Sequence, residues 1–193
     1  MAGIDEVGRG SLAGPVVAAA VIMEPGCRLP DVNDSKLLTA GRREELLRRI
    51  LRIARAWGVG AAEAREIDDI NILNATRLAM RRAVEALHVQ PDHLLIDAVV
   101  LADVPVAQTA IPKGDRISVS IAAASIVAKV VRDRVMDYFD RIYPGFGFAS
   151  HKGYGTQAHL RAVAERGPSP IHRLTFRGVR NEAGRELGDP LGH

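Results

Sequence analysis

Hydrophobic and polar positions divide the chain into alternating strand-like and helix-like segments. An apolar run over residues 1–7 precedes a glycine-rich turn and a second apolar run, Pro15 to Met23, and this arrangement predicts a β-hairpin. Apolar residues recur at helical spacing in three segments, 42–57, 71–88 and 118–142. Three other stretches have the pattern of short strands, 59–64, 93–100 and 104–111. The alternation predicts an α/β fold, a mixed β-sheet flanked by helices.

Polar and glycine residues mark the predicted ends of these elements. Thr39 is expected to cap the first helix and Gly58 to stop it, and Thr156 is expected to cap a later helix that ends near residue 166. We expect one domain over residues 1–193, with a small C-terminal helical portion at about 144–180. The polar stretch 181–193 is expected to be a loose tail.

Composition narrows the class of protein without defining its function. The 193 residues are 47% hydrophobic and 25% charged, which is typical of a globular protein. The net charge of +3 permits a polyanionic partner. Cys27 is the single cysteine, which excludes an intramolecular disulfide and fits a reducing compartment. Without a membrane-length apolar run or a signal-peptide pattern, we expect a cytoplasmic protein, monomeric and not bound to a membrane.

Two adjacent acids in the first strand are the strongest candidates for chemistry. Successive strand residues point to opposite faces, so Asp5 and Glu6 cannot both face solvent from a regular strand. A charge that faces the interior is unfavourable unless a metal, a partner or a hydrogen bond compensates it. The alternative is a strand end at the surface that carries two solvated acids.

Two other acids also border predicted core elements. Asp97 ends a buried strand, and Asp115 follows the break Pro112-Lys-Gly-Asp115. If the fold gathers these acids with Asp5 and Glu6, the four charges need a divalent cation, and carboxylate oxygens suit Mg²⁺ or Mn²⁺. Carboxylate sites of this kind support phosphoryl transfer by two metal ions. The Gly8-Arg9-Gly10 turn adds main-chain N–H groups and a positive charge.

Several motifs give the chain a resemblance to a known family. They are Gly3-Ile-Asp-Glu-Val-Gly-Arg-Gly-Ser-Leu-Ala-Gly-Pro15, Asp34-Ser-Lys36, Leu95-Ile-Asp97, Lys113-Gly-Asp115, Ala122-Ala-Ala-Ser-Ile-Val-Ala-Lys129, Arg132-Asp133 and Ser150-His-Lys-Gly-Tyr-Gly-Thr156. In this order and over residues 3 to about 176, the chain resembles the type 2 ribonuclease H family, ribonuclease HII. The resemblance implies a ribonuclease H-like fold.

The resemblance also implies an activity and a set of site residues. It implies hydrolysis of the RNA strand in RNA–DNA hybrids and incision 5′ of ribonucleotides embedded in duplex DNA, with 3′-hydroxyl and 5′-phosphate products. Two Mg²⁺ or Mn²⁺ ions would be held by four acids, Asp5, Glu6, Asp97 and Asp115. Substrate-binding positions would be Gly8, Arg9, Gly10, Lys36 and Tyr154. The turn would read the ribose 2′-OH, and the tyrosine would stack on the following deoxyribose.

Some assignments stay open on the sequence alone. Asp133 is a rival for the fourth metal ligand, although local pairing with Arg132 or Arg134, or support of the site, is the preferred interpretation. Lys152 is a further candidate for phosphate binding, and Ser125 is expected to pack rather than to contact the site. The alternative functions are a different carboxylate nuclease of the same fold, such as a transposase or resolvase, and a catalytically silent nucleic-acid-binding domain.

Overall fold

The computed structural model describes residues 1–27, 29, 38–97 and 99–179. Lys36, predicted to bind phosphate, lies outside the described residues, as does the tail predicted at 181–193.

A five-stranded mixed sheet forms the centre of the protein. Its strands are β1 (Ala2–Val7), β2 (Val16–Met23), β3 (Ala54–Ala62), β4 (His93–Ile96) and β5 (Ala107–Ala110), in the spatial order β3-β2-β1-β4-β5. β1 and β2 form the predicted antiparallel hairpin, and β2 pairs with β3 in the same sense. β1 and β4 run parallel, as do β4 and β5. The predicted mixed sheet is confirmed.

Helices cover both faces of the sheet. They are α1 (Ala40–Ile53), α2 (Ala64–Glu85), α3 (Val119–Ile142), α4 (Phe148–His151) and α5 (Gln157–Arg166). Buried side chains of α1 and α3 pack on one face of β2, and those of α2 pack on the other. Thr39 and Thr156 cap α1 and α5 as predicted. Among the described residues, no helix has the length and apolar character needed to cross a membrane.

The helix predicted at 42–57 ends earlier than its apolar pattern indicated, and the predicted strand at 59–64 begins earlier. Residues from Ala54 pair with β2, and Ala56 lies opposite Ile22. Gly58 is therefore a strand residue and does not stop a helix. A Cβ atom there would lie 2.3 Å from the carbonyl oxygen of Ala83, so glycine allows α2 to pack closely on β3.

The helix predicted at 71–88 is the second half of a longer, kinked helix. Asn71 interrupts α2 with φ 66° and ψ 164°, and its side-chain oxygen accepts hydrogen bonds from the N–H groups of Leu73 and Asn74. Asn71 thereby caps the following turns. The preceding turns were missed by the prediction, although Glu63 and Glu66 form a capping box there.

Candidate active site

The parallel pairing of β1 with β4 brings three acids to the same edge of the sheet. Ile4 lies opposite Ile96, and the Asp97 N–H donates to the carbonyl of Ile4 at 3.2 Å. Asp5 and Glu6 near the end of β1 therefore lie beside Asp97, directly after β4. Asp115 joins them from a short 3-10 helix, Gly114–Arg116. All four acids line one cavity of about 510 Å³.

Asp5 is the most deeply buried of the four acids. Only 8% of the residue is exposed, and its carboxylate accepts hydrogen bonds from the Glu6 N–H at 2.8 Å and from the Ser125 hydroxyl. Burial and, secondarily, the Glu6 charge raise the pKa of Asp5 to about 7. Ser125, predicted to pack rather than to contact the site, contacts the acid directly and lines the cavity.

Glu6 carries a carboxylate oxygen that has no protein partner within the described part of the chain. Burial raises the pKa of Glu6, and the Asp97 charge adds to this effect, whereas Arg9 opposes it. The Arg9 guanidinium donates to Glu6 Oε1 at 3.3 Å, but Oε2 is buried without a hydrogen bond. A buried, unpaired carboxylate oxygen beside a second acid of raised pKa is the environment that a divalent cation would stabilise.

Four cations line the same cavity as the acids. They are Arg43, Lys113, Arg116 and Lys129. None was singled out as a site residue from the sequence, although Lys113 and Lys129 lie inside motifs that were recognised. These cations come from α1, from α3 and from the segment around the 3-10 helix, so their proximity in the cavity could not be predicted from local sequence spacing.

Asp133 belongs to this basic side of the cavity. Its carboxylate accepts a hydrogen bond from Lys129 Nζ at 2.7 Å and lies 3.7 Å from the Arg43 guanidinium. The predicted local pairing with Arg132 or Arg134 was wrong. Arg132 turns towards main-chain carbonyls and Arg134 pairs with Glu44 from α1. Asp133 thus holds two cations at the cavity wall.

Two buried arginines fix the Gly8-Arg9-Gly10 turn from below. Arg173 donates to the carbonyls of Gly8, Arg9 and Gly14 at 2.7–3.1 Å. Arg132 lies under Gly8, where a Cβ atom would meet its Nε at 2.1 Å and where φ is +92°. The carbonyls of Gly8 and Arg9 therefore face inward. Within the described residues, the N–H groups of Arg9 and Gly10 donate to no protein acceptor.

Tyr154 lies beside this turn and lines the cavity. It forms a β-bridge with Ser11, and the Arg132 guanidinium carbon lies 5.5 Å from its ring centroid. The residue is 37% exposed, so part of the ring is open to a ligand. Lys152, by contrast, forms an ion pair with Asp137 on α3 and is not among the cavity-lining residues.

The acids fit a hard divalent cation by chemistry, but they are spread around the cavity wall. Over the described ranges, no three His, Cys, Asp or Glu side chains lie close enough together to form a ready-made metal site. The donors that the cavity offers are carboxylate oxygens, which suit Mg²⁺ or Mn²⁺ better than zinc.

Solved structures define the class to which this fold and site belong. Ribonuclease H2 from Pyrococcus horikoshii has a TM-score of 0.77 and 29% identity, and the match covers 93% of this chain and 94% of that one. The structure of the PCNA:RNase HII complex from Archaeoglobus fulgidus contains a chain with a TM-score of 0.76 and 28% identity, covering 96% and 98%. The predicted ribonuclease H-like fold is confirmed.

Sequence comparisons then give the family within that class. The model of the family "Ribonuclease HII" matches residues 2–179, so the chain belongs to the ribonuclease HII family. Ribonuclease HII of Geobacter sulfurreducens is 60% identical over 184 residues, 95% of this chain and 85% of that protein. Ribonuclease HII of Syntrophotalea carbinolica is 54% identical over 180 residues, 93% and 86%. The predicted enzyme class, a metal-dependent endoribonuclease, is confirmed, and the alternative of a silent binding domain is set aside.

Proposed function

We propose that this ribonuclease hydrolyses the RNA strand of RNA–DNA hybrids and also cuts duplex DNA on the 5′ side of a single embedded ribonucleotide. The observation that carries the proposal is the shared cavity. Four carboxylates line it together with Tyr154, and Tyr154 is bridged to the Gly8-Arg9-Gly10 turn through Ser11. In this proposal the acids would form the cleavage centre, and the neighbouring turn and tyrosine would recognise the sugar.

In this proposal two divalent ions, Mg²⁺ or Mn²⁺, are held by the four acids Asp5, Glu6, Asp97 and Asp115. Such ions supply a nucleophile at neutral pH and stabilise negative charge on the leaving oxygen. The unpaired Oε2 of Glu6 and the raised pKa of Asp5 support this assignment, because a bound cation would give the first a partner and favour ionisation of the second. Hydrolysis would leave 3′-hydroxyl and 5′-phosphate ends.

The basic side of the cavity would bind the nucleic-acid backbone. Lys129 and Arg43 are held there by Asp133. Because their side chains are already ordered, binding a phosphate would cost them little further conformational entropy. Ser125 would keep the Asp5 carboxylate oriented towards the cavity through its hydrogen bond. These residues would align the backbone phosphate with the acids.

Recognition of the ribose would come from the turn and the tyrosine. The N–H groups of Arg9 and Gly10 can donate to a 2′-OH, which is the group that distinguishes RNA from DNA. The partly exposed ring of Tyr154 can stack on the next sugar, where a second 2′-OH would crowd it. A single ribonucleotide followed by a deoxyribonucleotide would then satisfy both elements.

Tyr154→Ala is expected to reduce cleavage at a single ribonucleotide more than cleavage of a uniform hybrid. Loss of a stacking platform is worth about 1–3 kcal/mol, and this contribution is expected mainly where a deoxyribose follows the ribose. The measurement is the ratio of cleavage rates on the two substrates, for wild type, Tyr154→Phe and Tyr154→Ala. Tyr154→Phe keeps the ring and should keep most of the ratio.

Tyr138→Ala is the matched control for this experiment. Tyr138 is a second exposed tyrosine, and the Arg141 guanidinium carbon lies 5.9 Å from its ring centroid, yet it does not line the cavity. Its loss should leave the ratio unchanged. Equal slowing of both substrates by Tyr154→Ala would exclude Tyr154 as the junction reader. A wild-type enzyme that ignores the single ribonucleotide would remove the proposed incision activity.

Arg9→Ala is expected to weaken the dependence of substrate binding on salt. The side chain is 43% exposed beside the turn, and the proposal places it near a phosphate. Each neutralised phosphate contributes about −0.9 to the slope of log K against log salt concentration on duplex DNA, so the slope should become shallower by about one unit. Arg55→Ala on the edge strand β3 is the control. Equal slopes for Arg9→Ala and wild type would place Arg9 away from phosphate.

A further inference from the structure

A buried chain of hydrogen bonds runs through two histidines to the main chain of Tyr154. The Ser169 N–H donates to His172 Nδ1 at 2.9 Å, and the Ser169 hydroxyl lies 2.8 Å from the same nitrogen. His172 Nε2 lies 2.9 Å from His159 Nε2, and His159 Nδ1 lies 2.9 Å from the Tyr154 carbonyl oxygen. Both histidines are almost fully inaccessible to solvent.

The two ends of this chain determine where its protons lie. A main-chain N–H can only donate, so His172 Nδ1 must accept and His172 Nε2 must carry the hydrogen. A carbonyl can only accept, so His159 Nδ1 must carry a hydrogen and His159 Nε2 must accept. The two assignments agree at the contact between the rings. Each ring therefore holds one proton, and the direction from Ser169 to Tyr154 is fixed.

The surroundings of the rings favour the same neutral forms. Burial lowers the pKa of His172 to about 4, and it also lowers the pKa of His159. His159 stacks on His151 at 4.3 Å between ring centroids and meets the edge of Phe148 at 5.5 Å. Since neither ring reaches solvent, the chain of hydrogen bonds is part of the packed interior.

The chain of hydrogen bonds ends at the backbone of Tyr154, the residue that is proposed to recognise the junction. The Tyr154 N–H donates to the carbonyl of His151, and Tyr154 is bridged to Ser11 beside the glycine-rich turn. The bond from His159 fixes the other side of the same residue. We propose that His159, oriented by His172 and Ser169, is a positioning residue that holds Tyr154 at the angle needed to recognise a ribonucleotide–deoxyribonucleotide junction. This inference rests on the proposed function of Tyr154.

The hydrogen-bond chain itself can be tested on the wild-type protein without any cleavage assay. Nitrogen NMR spectra of protein with ¹⁵N-labelled histidine distinguish the protonated from the unprotonated ring nitrogens. At neutral pH we expect hydrogen on Nδ1 of His159 and on Nε2 of His172. A reversed tautomer or a cationic ring at either position would overturn the chain, and with it the proposal. This result does not depend on the substrate of the enzyme.

The positioning role is tested by two variants of His159, one of which keeps the hydrogen bond to the Tyr154 carbonyl while the other loses it. His159→Asn keeps an N–H near the position of Nδ1, whereas His159→Phe keeps an aromatic ring against Phe148 and loses the donor. We expect His159→Phe to lower the ratio of single-ribonucleotide to hybrid cleavage by about 2- to 10-fold, the range for losing one hydrogen bond. His159→Asn should recover most of that ratio. His88→Gln, at an exposed site, is the control.

A double-variant cycle separates positioning from a general structural effect. In a Tyr154→Ala background, His159→Phe should no longer change the ratio, because the group it positions is absent. An undiminished effect in that background would overturn the proposal, as would equal slowing of both substrates by His159→Phe in the native background. If His159→Phe does not fold, a low ratio of single-ribonucleotide to hybrid cleavage in folded His159→Asn would overturn the proposal. If wild type does not cut the single-ribonucleotide duplex at all, the proposed function fails while the NMR result still stands.

Discussion

Asp97→Asn is expected to lower the rate of metal-dependent cleavage by at least ~10²-fold, the scale on which a single electrostatic element of a transition state acts. The amide keeps the shape of the carboxyl group but binds Mg²⁺ or Mn²⁺ poorly. Asp97 directly follows β4, and its Oδ1 accepts a hydrogen bond from the Gly114 N–H at 3.3 Å. An amide oxygen can accept the same bond, so the fold should persist.

The control for this variant lies at the other end of the same strand. Asp92 immediately precedes β4, is exposed and does not line the cavity. Asp92→Asn should cleave RNA–DNA hybrid at the wild-type rate. Melting curves of both variants should show that the loss of activity is not a loss of folding. A near-normal rate in Asp97→Asn, with metal still required, would remove Asp97 from the proposed metal site.

Asp5→Asn is expected to abolish activity and yet to stabilise the metal-free protein at pH 8. The pKa of Asp5 rises from the usual 3.8 to about 7 on folding, so keeping the group ionised costs on the order of 4 kcal/mol, at about 1.4 kcal/mol for each pKa unit. The neutral amide avoids most of this penalty. A gain of about 1–3 kcal/mol would raise the melting temperature by several degrees in a protein of this size.

The pH dependence of this gain follows from the direction of the shift. Below pH 3.8 the carboxyl group is protonated in both the folded and the unfolded protein, and its contribution to stability is fully present. As the pH rises through about 7, the folded group must lose its proton and the contribution is lost. The difference between Asp5→Asn and wild type should therefore be largest above pH 7 and should shrink towards pH 4.

Thermal unfolding in chelator and in Mg²⁺ or Mn²⁺ would test this expectation. The cation should stabilise wild type by binding the folded state, and it should stabilise Asp5→Asn much less. Asp92→Asn should behave as wild type in both conditions. A lower melting temperature of Asp5→Asn than of wild type in chelator at pH 8 would show that the buried carboxylate is not a source of instability.

Local sequence patterns predicted correctly the elements in which the preference of the residues agrees with the conformation that the tertiary structure imposes. The hairpin of β1 and β2, the long helix α3 and the caps Thr39 and Thr156 follow from residue type and spacing. The prediction failed at Ala54, where an apolar helical pattern continues into a strand. Pairing with β2 and close packing against α2 decide that conformation, and neither is visible in the local sequence.

The candidate site shows the same division between local and tertiary information. Adjacent acids in a strand drew attention to Asp5 and Glu6 because one of them had to be buried. The basic wall of the cavity was missed, because Arg43 comes from α1 and Lys129 from α3, far apart in the sequence. Arg132 and Arg173 are buried, form no ion pair with a carboxylate of the described residues and donate to carbonyls instead, which residue-type rules for arginine do not anticipate.

The long-range contacts of Arg173 affect when, during synthesis, the candidate site can form. Its side chain bonds the Gly8 carbonyl across 165 residues, and β1 must also wait for β4. During synthesis the acids of β1 leave the ribosome long before the segment that braces the adjoining turn. A nascent chain that ends before residue 173 would carry the acids without this brace. Competence to cut nucleic acid would therefore arise only after the segment around Arg173 has been made.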